Sequence, residues 1–353
     1  MGLTFGSSLI SWYLHNKREL PWRETADPYK IWLSEVILQQ TQVAQGLAYY
    51  TKFIRLFPTI QCLADASEDE VLSAWQGLGY YSRARNLHHS AKLMRDEYRG
   101  NFPQEYDKIR KLKGVGDYTA AAIASFAFDQ PHAVVDGNVY RLLSRVFGIS
   151  TPIDSGRGKK EFAKLASSLL DRKRPGLFNQ AIMEFGSQYC RGSSPGCGEC
   201  IFNLNCEAFK SGRVNELPVK SKTVTVRERF FNYLVIGDNA GNVVIKKRSA
   251  GDIWQGLYEF NLIESAHVVE PETLLGSLKV KSMRLDKLQL RHISKSYVHQ
   301  LTHQRLHSRF YVLRSEQPLF ARGHHVHMNE LRNLAFPRLL SRFMDDCDLR
   351  EMF

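Results

Sequence analysis

Six cysteines, two carboxylic acids and a pair of glycines stand out as chemistry-bearing positions in this 353-residue chain. Cys62 and Cys347 are isolated, whereas Cys190, Cys197, Cys200 and Cys206 fall in one short glycine-rich segment. Four thiolates so placed read as a metal site, either zinc or a [4Fe–4S] cluster, and ligand count alone does not separate the two. Zinc sites usually pair two close CxxC knuckles, and here only Cys197 and Cys200 make one. Glu35 sits among apolar residues in WLSEVILQQTQV, and Asp136 follows an apolar run in HAVVDGNVYR. Carboxyl groups are candidates for acid–base work. Each has a structural reading: a salt bridge or solvent-facing side chain for Glu35, and a helix N-cap for Asp136. Gly114-Val115-Gly116 comes directly before an alanine-rich stretch. Two glycines around one apolar residue make a tight hairpin, and the amides of the next helix then face outward to an anion. A plain turn is the other reading. A dinucleotide-binding turn would need a preceding strand, and the residues before this one have helical periodicity.

The elements that must position these groups change character along the chain. Up to about Cys206 the pattern is helical. Apolar residues from Ile31 and Trp32 to Ile37, Leu38 and Val43 recur at three- and four-residue intervals, which predicts one helix carrying Glu35 and, one or two turns later, Gln39, Gln40 and Thr41. Further helices are predicted over 68–75, with Ser67 as N-cap, and over 83–98, 119–128, 138–147, 158–170 and 177–189. After Phe209 a polar segment with a proline reads as a linker. RFFNYLVIG, NVVIKKR and LHSRFYVLRS then read as strands, and MNELRNLAFPRLLSRFM as a closing helix. The expectation is a mainly helical domain over 1–210, a linker over 211–228 and a smaller mixed α/β domain over 229–353, with no internal repeat.

A formal charge of +12 and a pI near 9.4 favour a polyanionic partner without choosing among DNA, RNA and a membrane surface. No run reaches the roughly 18–20 apolar residues of a membrane span. The N-terminal stretch reads as an amphipathic helix rather than a signal peptide. A cytoplasmic location is expected, associated with the nucleoid if the partner is DNA.

Taken in order, these motifs resemble the helix-hairpin-helix superfamily of endonuclease III and MutY, and most closely the MutY-type adenine DNA glycosylases. The spacing Cys190-x6-Cys197-x2-Cys200-x5-Cys206 is similar to that family's cluster loop, which implies one [4Fe–4S] cluster supporting a basic loop, with Arg191 and Lys210 as its basic residues. LKGVGDYTAAAIASF is similar to the hairpin, implying contact of Leu112, Lys113, Gly114 and Gly116 with DNA; Lys113 stands where the family usually has proline. VDGNVYR implies that Asp136 is the catalytic carboxylate and WLSEVILQQTQV that Glu35 is the general acid, with Tyr118 and Asn138 positioning Asp136 and the nucleophile. Relatives that cleave the strand carry a lysine at position 118, so Tyr118 implies a glycosylase without fast lyase activity. Gln39, Gln40 and Thr41 are implied to meet the mispair, Tyr80 to insert beside the opposing base, and Arg83 and Arg85 to add charge there.

KKRSAGDIWQGLYEFNLIE resembles the Nudix-related C-terminal domain of that family, without the glutamate-rich helix a Nudix hydrolase needs. The resemblance implies a recognition domain for 8-oxoguanine, with Leu301, Thr302 and His303 standing where the family has Phe-Ser-His. Leu301 wedges between bases but stacks less well than an aromatic ring. His324, His325 and His327 read as surface histidines. The implied activity is hydrolysis of adenine from duplexes pairing it with 8-oxoguanine or guanine, by a monomer. A thymine–guanine mismatch glycosylase, sharing the cluster and Tyr118, and an inactive iron–sulfur DNA-binding protein are the alternatives. Glu35 and the second domain favour adenine.

Overall fold

The structure is a computed structural model that describes residues 4–221, 225–276, 288–316, 318–319 and 324–353. Its helices in chain order are α1 (Phe5–Asn16), α2 (Pro28–Leu38), α3 (Val43–Leu56), α4 (Ile60–Asp65), α5 (Glu68–Trp75), α6 (Ser82–Glu97), α7 (Tyr106–Lys111), α8 (Asp117–Phe128), α9 (Gly137–Phe147), α10 (Gly156–Leu169), α11 (Pro175–Gln188), α12 (Glu207–Lys210), α13 (Pro271–Leu275) and α14 (Arg338–Asp346). The strands are β1 (Arg227–Asp238), β2 (Asn242–Lys247), β3 (Tyr258–Glu259), β4 (Asn261–Ser265), β5 (Leu288–Ile293), β6 (Tyr297–Gln300), β7 (Gln304–Ser315) and β8 (His324–His327). Two compact units share the chain: Met1–Asp65 with Asn86–Thr223, and Ala66–Arg85 with Val224–Phe353.

The first unit is helical and its core forms around α11. Phe178, Ala181, Ile182 and Phe185 recur at three- and four-residue spacing and are buried, together with Leu9, Ile10 and Tyr13 of α1 and Val139, Leu142 and Leu143 of α9. Burying each of the larger apolar side chains contributes about 1.5–3 kcal/mol. The alanines of α8, from Ala120 to Ala124, let neighbours come close. A Cβ on Gly176 at the start of α11 would lie 2.6 Å from the carbonyl oxygen of Ser125. The segment predicted as a linker does not run free throughout. Leu217 is buried in this core, and Arg145 Nε of α9 donates to the carbonyls of Val214 at 2.9 Å and Leu217 at 3.2 Å. Residues 222–224 of that segment lie outside the described residues.

The helix predicted to run from Ile31 to Val43 is two. The α2 helix stops at Leu38, Gln40 is left-handed with φ 59°, and α3 begins at Val43. Gln39, Gln40 and Thr41 therefore form a turn after the helix of Glu35 rather than its continuation. The apolar period carries across because Val43 happens to fall in phase, while the polar residues between have no apolar face to bury.

In the second unit, β1 and β7 run parallel over twelve residues, from Arg227 opposite Gln304 to Asp238 opposite Ser315. Among the described residues the sheet order is β3-β2-β1-β7-β5, with β4 also on β1, β6 also on β7 and β8 on β2. Successive residues of a strand face opposite sides, so the near-continuous burial of β1 means both faces are covered. Phe231, Tyr233 and Val235 pack with Phe310, Leu339, Leu340 and Phe343 under α14, while Leu234 and Ile236 pack with Tyr311, Leu313 and Leu274 on the other side. The closing helix is shorter than its sequence pattern. Residues 328–333 make a 3-10 turn, and Pro337, which cannot donate a helical hydrogen bond, caps α14 instead of lying within it.

Residues 66–85 belong to this second unit although 138 residues separate them from the rest of it. A capping box between Ser67 and Glu70 starts α5. Asp69 accepts hydrogen bonds from Lys247 Nζ at 2.5 Å and from the Tyr258 hydroxyl at 3.1 Å, and Arg85 donates to the carbonyl of Gln255 at 2.5 Å.

Candidate active site and DNA-facing turns

Asp27 opens α2 by accepting a hydrogen bond from the Tyr29 amide, and the buried face of the helix carries Glu35 inward, only 5% exposed. Burial pushes the Glu35 carboxyl up to about 7, against the opposing pull of a hydrogen bond from the Tyr118 hydroxyl to Oε2 at 2.8 Å. Tyr118 comes from the first turn of α8 and is itself held well above the usual phenol range, first by burial and then by the nearby Glu35 and Asp136.

Asp136 takes the capping role the sequence allowed and faces the cleft as well. It caps α9, its Oδ1 accepting from the amides of Asn138 at 2.9 Å and Val139 at 2.8 Å. Its Oδ2 accepts from Asn138 Nδ2 at 2.8 Å. Burial raises the Asp136 carboxyl, and these hydrogen bonds pull it back. Asn138 is steadied in turn by Arg141, whose guanidinium donates to Asn138 Oδ1 at 2.8 Å, to Gly186 O at 2.5 Å and to Cys190 O at 2.7 Å. A Cβ on Gly186 would lie 2.8 Å from the carbonyl oxygen of Asn138, so α11 approaches the start of α9 as closely as it does only because that residue is glycine.

Glu35, Tyr118, Asp136 and Asn138 line one cleft of about 630 Å³, with Gln39, Gln40 and Thr41 also on its wall. Gln39 Nε2 donates to Thr119 Oγ1 at 3.2 Å, which ties that turn to α8. The same cleft holds residues that sequence reasoning missed: Arg18, Leu20, Trp22, Arg23 and Glu184. Glu184 is 1% exposed, and burial alone would raise it, yet hydrogen bonds from Arg18 and Arg23 win and hold its carboxyl at about 2. Both guanidiniums reach Oε2 at 2.6 Å, and Gln188 donates to Oε1. The cleft thus presents one carboxyl poised to be protonated near neutrality and another fixed as an anion. The one available signal was Glu184 standing alone among apolar residues in LFNQAIMEFG.

The glycine turn between α7 and α8 forms as expected. Gly114 is left-handed with φ 83°, and a Cβ there would meet Asn86 Cβ at 2.8 Å. The α8 helix starts from Gly116 with no side-chain cap among the described residues, so its first amides face outward, with Lys113 exposed beside them. Leu112, predicted to touch DNA, is 3% exposed. Its side chain anchors the turn in the core and its carbonyl accepts from the Val115 amide at 3.1 Å.

The four clustered cysteines line one small cavity with Leu142, Arg145 and Val146, and no carboxylate or histidine lies on its described wall. The Phe202 amide points at Cys200 Sγ at 3.4 Å and Arg145 at Cys190 Sγ at 3.6 Å, the donors that thiolate ligands attract. Burial pushes the Cys190 and Cys197 thiols up, and Cys200 to about 11, so binding a metal would release protons. Among the described residues no three histidine, cysteine or acidic side chains are grouped so as to hold one ion. The sulfur-only donor set fits a soft centre large enough to span the cavity, and a [4Fe–4S] cluster is common among endonuclease III-like proteins.

In the second unit Tyr80 is 49% exposed on a turn with φ 47°. Thr302 and His303 are exposed between β6 and β7, while Leu301 is half-buried against the core. Arg83, predicted to add charge toward DNA, is only 7% exposed, its guanidinium lying over the Trp75 and Tyr80 rings and donating to the carbonyls of Leu78 and Gly79. The Leu78 and Gly79 carbonyls of this left-handed turn hold it inward. His324, His325 and His327 are exposed on β8.

Residues 33–168 match the family described as HhH-GPD superfamily base excision DNA repair protein, and residues 232–346 match a NUDIX domain. A thermostable thymine-DNA glycosylase of solved structure aligns with a TM-score of 0.55 at 28% identity, over 59% of this chain and 95% of that one. The fold is that of a helix-hairpin-helix DNA glycosylase of base excision repair, an enzyme whose partner is DNA. An adenine DNA glycosylase of Buchnera aphidicola subsp. Baizongia pistaciae is 32% identical over 302 residues, covering 85% of this chain and 83% of the relative. Another, from Buchnera aphidicola subsp. Acyrthosiphon pisum, is 30% identical over 348 residues and 97% of each chain. The chain belongs to the adenine DNA glycosylase family. No described helix is long and apolar enough to cross a membrane.

Proposed function

We propose that the protein hydrolyses the N-glycosidic bond of adenine paired with 8-oxoguanine or guanine in duplex DNA and leaves an abasic site. The observation that carries this reading is Glu35, buried and poised near pH 7, in one cleft with Asp136. Adenine is a poor leaving group as an anion. Glu35 therefore donates its proton to N7, the C1′–N9 bond breaks, and its electron pair leaves with the neutral base. The positive charge left on the sugar falls beside the Asp136 carboxylate, which stabilises it or joins it in a transient ester. Glu35, now ionised, takes a proton from the water that completes hydrolysis. Tyr118 and Asn138 hold the two carboxyls, and with no lysine at position 118 there is no amine to form a Schiff base. Trp22 and Leu20 offer apolar walls, and the Glu184–Arg18–Arg23 cluster offers polar atoms, to an adenine turned out of the stack.

The outward amides at Gly116 and the charge on Lys113 suit a phosphate, and Gln39, Gln40 and Thr41 the mispair beside the cleft. Residues 229–353 serve as the recognition domain, with Tyr80, Leu301, Thr302 and His303 toward the base opposite adenine. Cys190, Cys197, Cys200 and Cys206 would hold a [4Fe–4S] cluster, whose contribution when bound is to fasten its loop. Both carboxyls come from one chain, so a monomer suffices. Single-turnover base release from duplexes pairing adenine with 8-oxoguanine, adenine with guanine, and thymine with guanine tests the reading. Adenine release fastest opposite 8-oxoguanine is expected; thymine release in its place would overturn it.

A further inference from the structure

The glycine turn between α7 and α8 carries an acid at the very place where it would take an anion. Asp117 is the first residue of α8, and its side chain is 80% exposed beside the outward amides. In the free protein this placement is favourable, because a carboxylate at a helix N-terminus meets the positive end of the helix dipole. A phosphate brought to the same amides meets a like charge instead. Lys111 and Lys113 are exposed at this turn, and Arg110, in the last turn of α7, reaches Asp117 Oδ1 through Nε at 2.7 Å. The Tyr106 hydroxyl also donates to the Asp117 carbonyl at 3.5 Å, and its ring stacks on His132 with centroids 4.1 Å apart. Asp117 is thus drawn toward α7 by its side chain and by its backbone. With the Arg110 side chain 56% exposed, an ion pair of this kind adds little to folding stability. Its effect falls on a charge that arrives at the turn.

We propose that Asp117 is an electrostatic brake on the phosphate grip of this turn and that Arg110 sets its strength. The Asp117 carboxylate lowers affinity for the DNA backbone, so the duplex carrying an abasic site leaves once the base is released. Arg110 offsets part of that repulsion by holding the carboxylate on the α7 side. The pair governs binding and product release, and leaves the bond-breaking step at Glu35 and Asp136 untouched. The inference rests on the proposal that the outward amides at Gly116 and the charge on Lys113 meet a phosphate.

The test uses the whole protein as wild type, Asp117→Asn, Arg110→Ala, the Asp117→Asn/Arg110→Ala double variant and Lys113→Ala. Affinity for a duplex holding a tetrahydrofuran abasic analogue is measured at low and high salt, a readout that does not depend on which base is released. Melting temperature and single- and multiple-turnover base release are measured alongside. Asp117→Asn should bind about three- to tenfold more tightly at low salt, and the gain should shrink as salt screens the charge. It should melt at or below the wild-type temperature, since α8 loses its N-terminal anion. Multiple-turnover release should slow, while single-turnover release with protein in excess keeps the wild-type rate. Unchanged or weaker binding by Asp117→Asn would overturn the brake. Arg110→Ala should weaken binding about three- to tenfold in the wild type and distinctly less beside Asp117→Asn. An equal loss in both backgrounds would show that Arg110 meets DNA directly and would overturn its assigned role. Lys113→Ala separates the inference from the reading beneath it. Weaker binding by that variant, with Asp117→Asn equal to wild type, sinks the brake and leaves the phosphate reading standing. Both variants equal to wild type would sink the two together.

Discussion

Glu35 and Glu184 share a cleft, yet their surroundings drive them in opposite directions, one toward neutrality and the other to a fixed anion. Glu35, the acid of the proposed reaction, has the shift toward neutrality. Its folded value of about 7 exceeds the ordinary 4.5, so the stability it contributes is fully present below about pH 4.5 and is lost as pH rises through about 7. The loss amounts to about 3 kcal/mol. Glu35→Gln removes the ionisation, so the variant should gain melting temperature over wild type at pH 8 and show little gain at pH 4.5; equal differences at both pH values would contradict the shift. In the same window the rate of base release should fall as pH rises past about 7, because the acid form is the one that donates. Asp136 offers a cleaner separation of structure from chemistry. Asparagine caps helices as well as aspartate does, so Asp136→Asn should melt within about 1 kcal/mol of wild type. It should also bind the mispaired duplex while releasing no adenine in single turnover.

Among the elements, the meeting of α9 and α11 decides where Asp136 stands. Gly186→Ala forces a Cβ to within 3.0 Å of three atoms of Asn138, two of them backbone, and the neighbour must yield. A stability loss of about 1–3 kcal/mol is expected from the urea midpoint, with a larger proportional loss of single-turnover rate, since Asn138 holds the Asp136 carboxylate. A rate that falls no more than stability would show that the helix moves without displacing the carboxylate. Sequence patterns singled out most of the residues that line the cleft, the glycine turn and the cysteine cavity, since Asp136, Gly114, Gly116 and the four cysteines each sit at a local irregularity with a recognisable cause. They gave no sign of burial where the cause is tertiary. Arg83 looks like a surface cation in YYSRARNL, and only the left-handed turn, with its inward carbonyls, draws it into the interior. Leu112 anchors its turn because the core lies behind it, which no neighbouring residue reveals. Arg18 and Glu184 are 166 residues apart, so neither carries a local sign of the other.

At the scale of the whole molecule, the boundary visible in composition near residue 210 is a boundary of sequence character more than of packing. Residues 66–85 look like any other helical stretch of the first half, and the partners that claim them, Lys247, Gln255, Tyr258 and Ser341, come much later. Hydrogen exchange of the full chain checks the grouping. Protected amides of α5 should open with those of β2 and β3 in one cooperative step; opening together with α4 instead would refute it. The discontinuity also bears on synthesis. Translation runs at roughly 5–20 residues per second, so about ten to fifty seconds separate the emergence of residue 85 from completion of the chain. During that interval Lys247 and Tyr258, the later residues to which Asp69 of α5 bonds, have yet to be made. A nascent chain stalled before residue 224 should therefore be most open to proteases and chaperones between residues 66 and 85, while the segments around it have already begun to close.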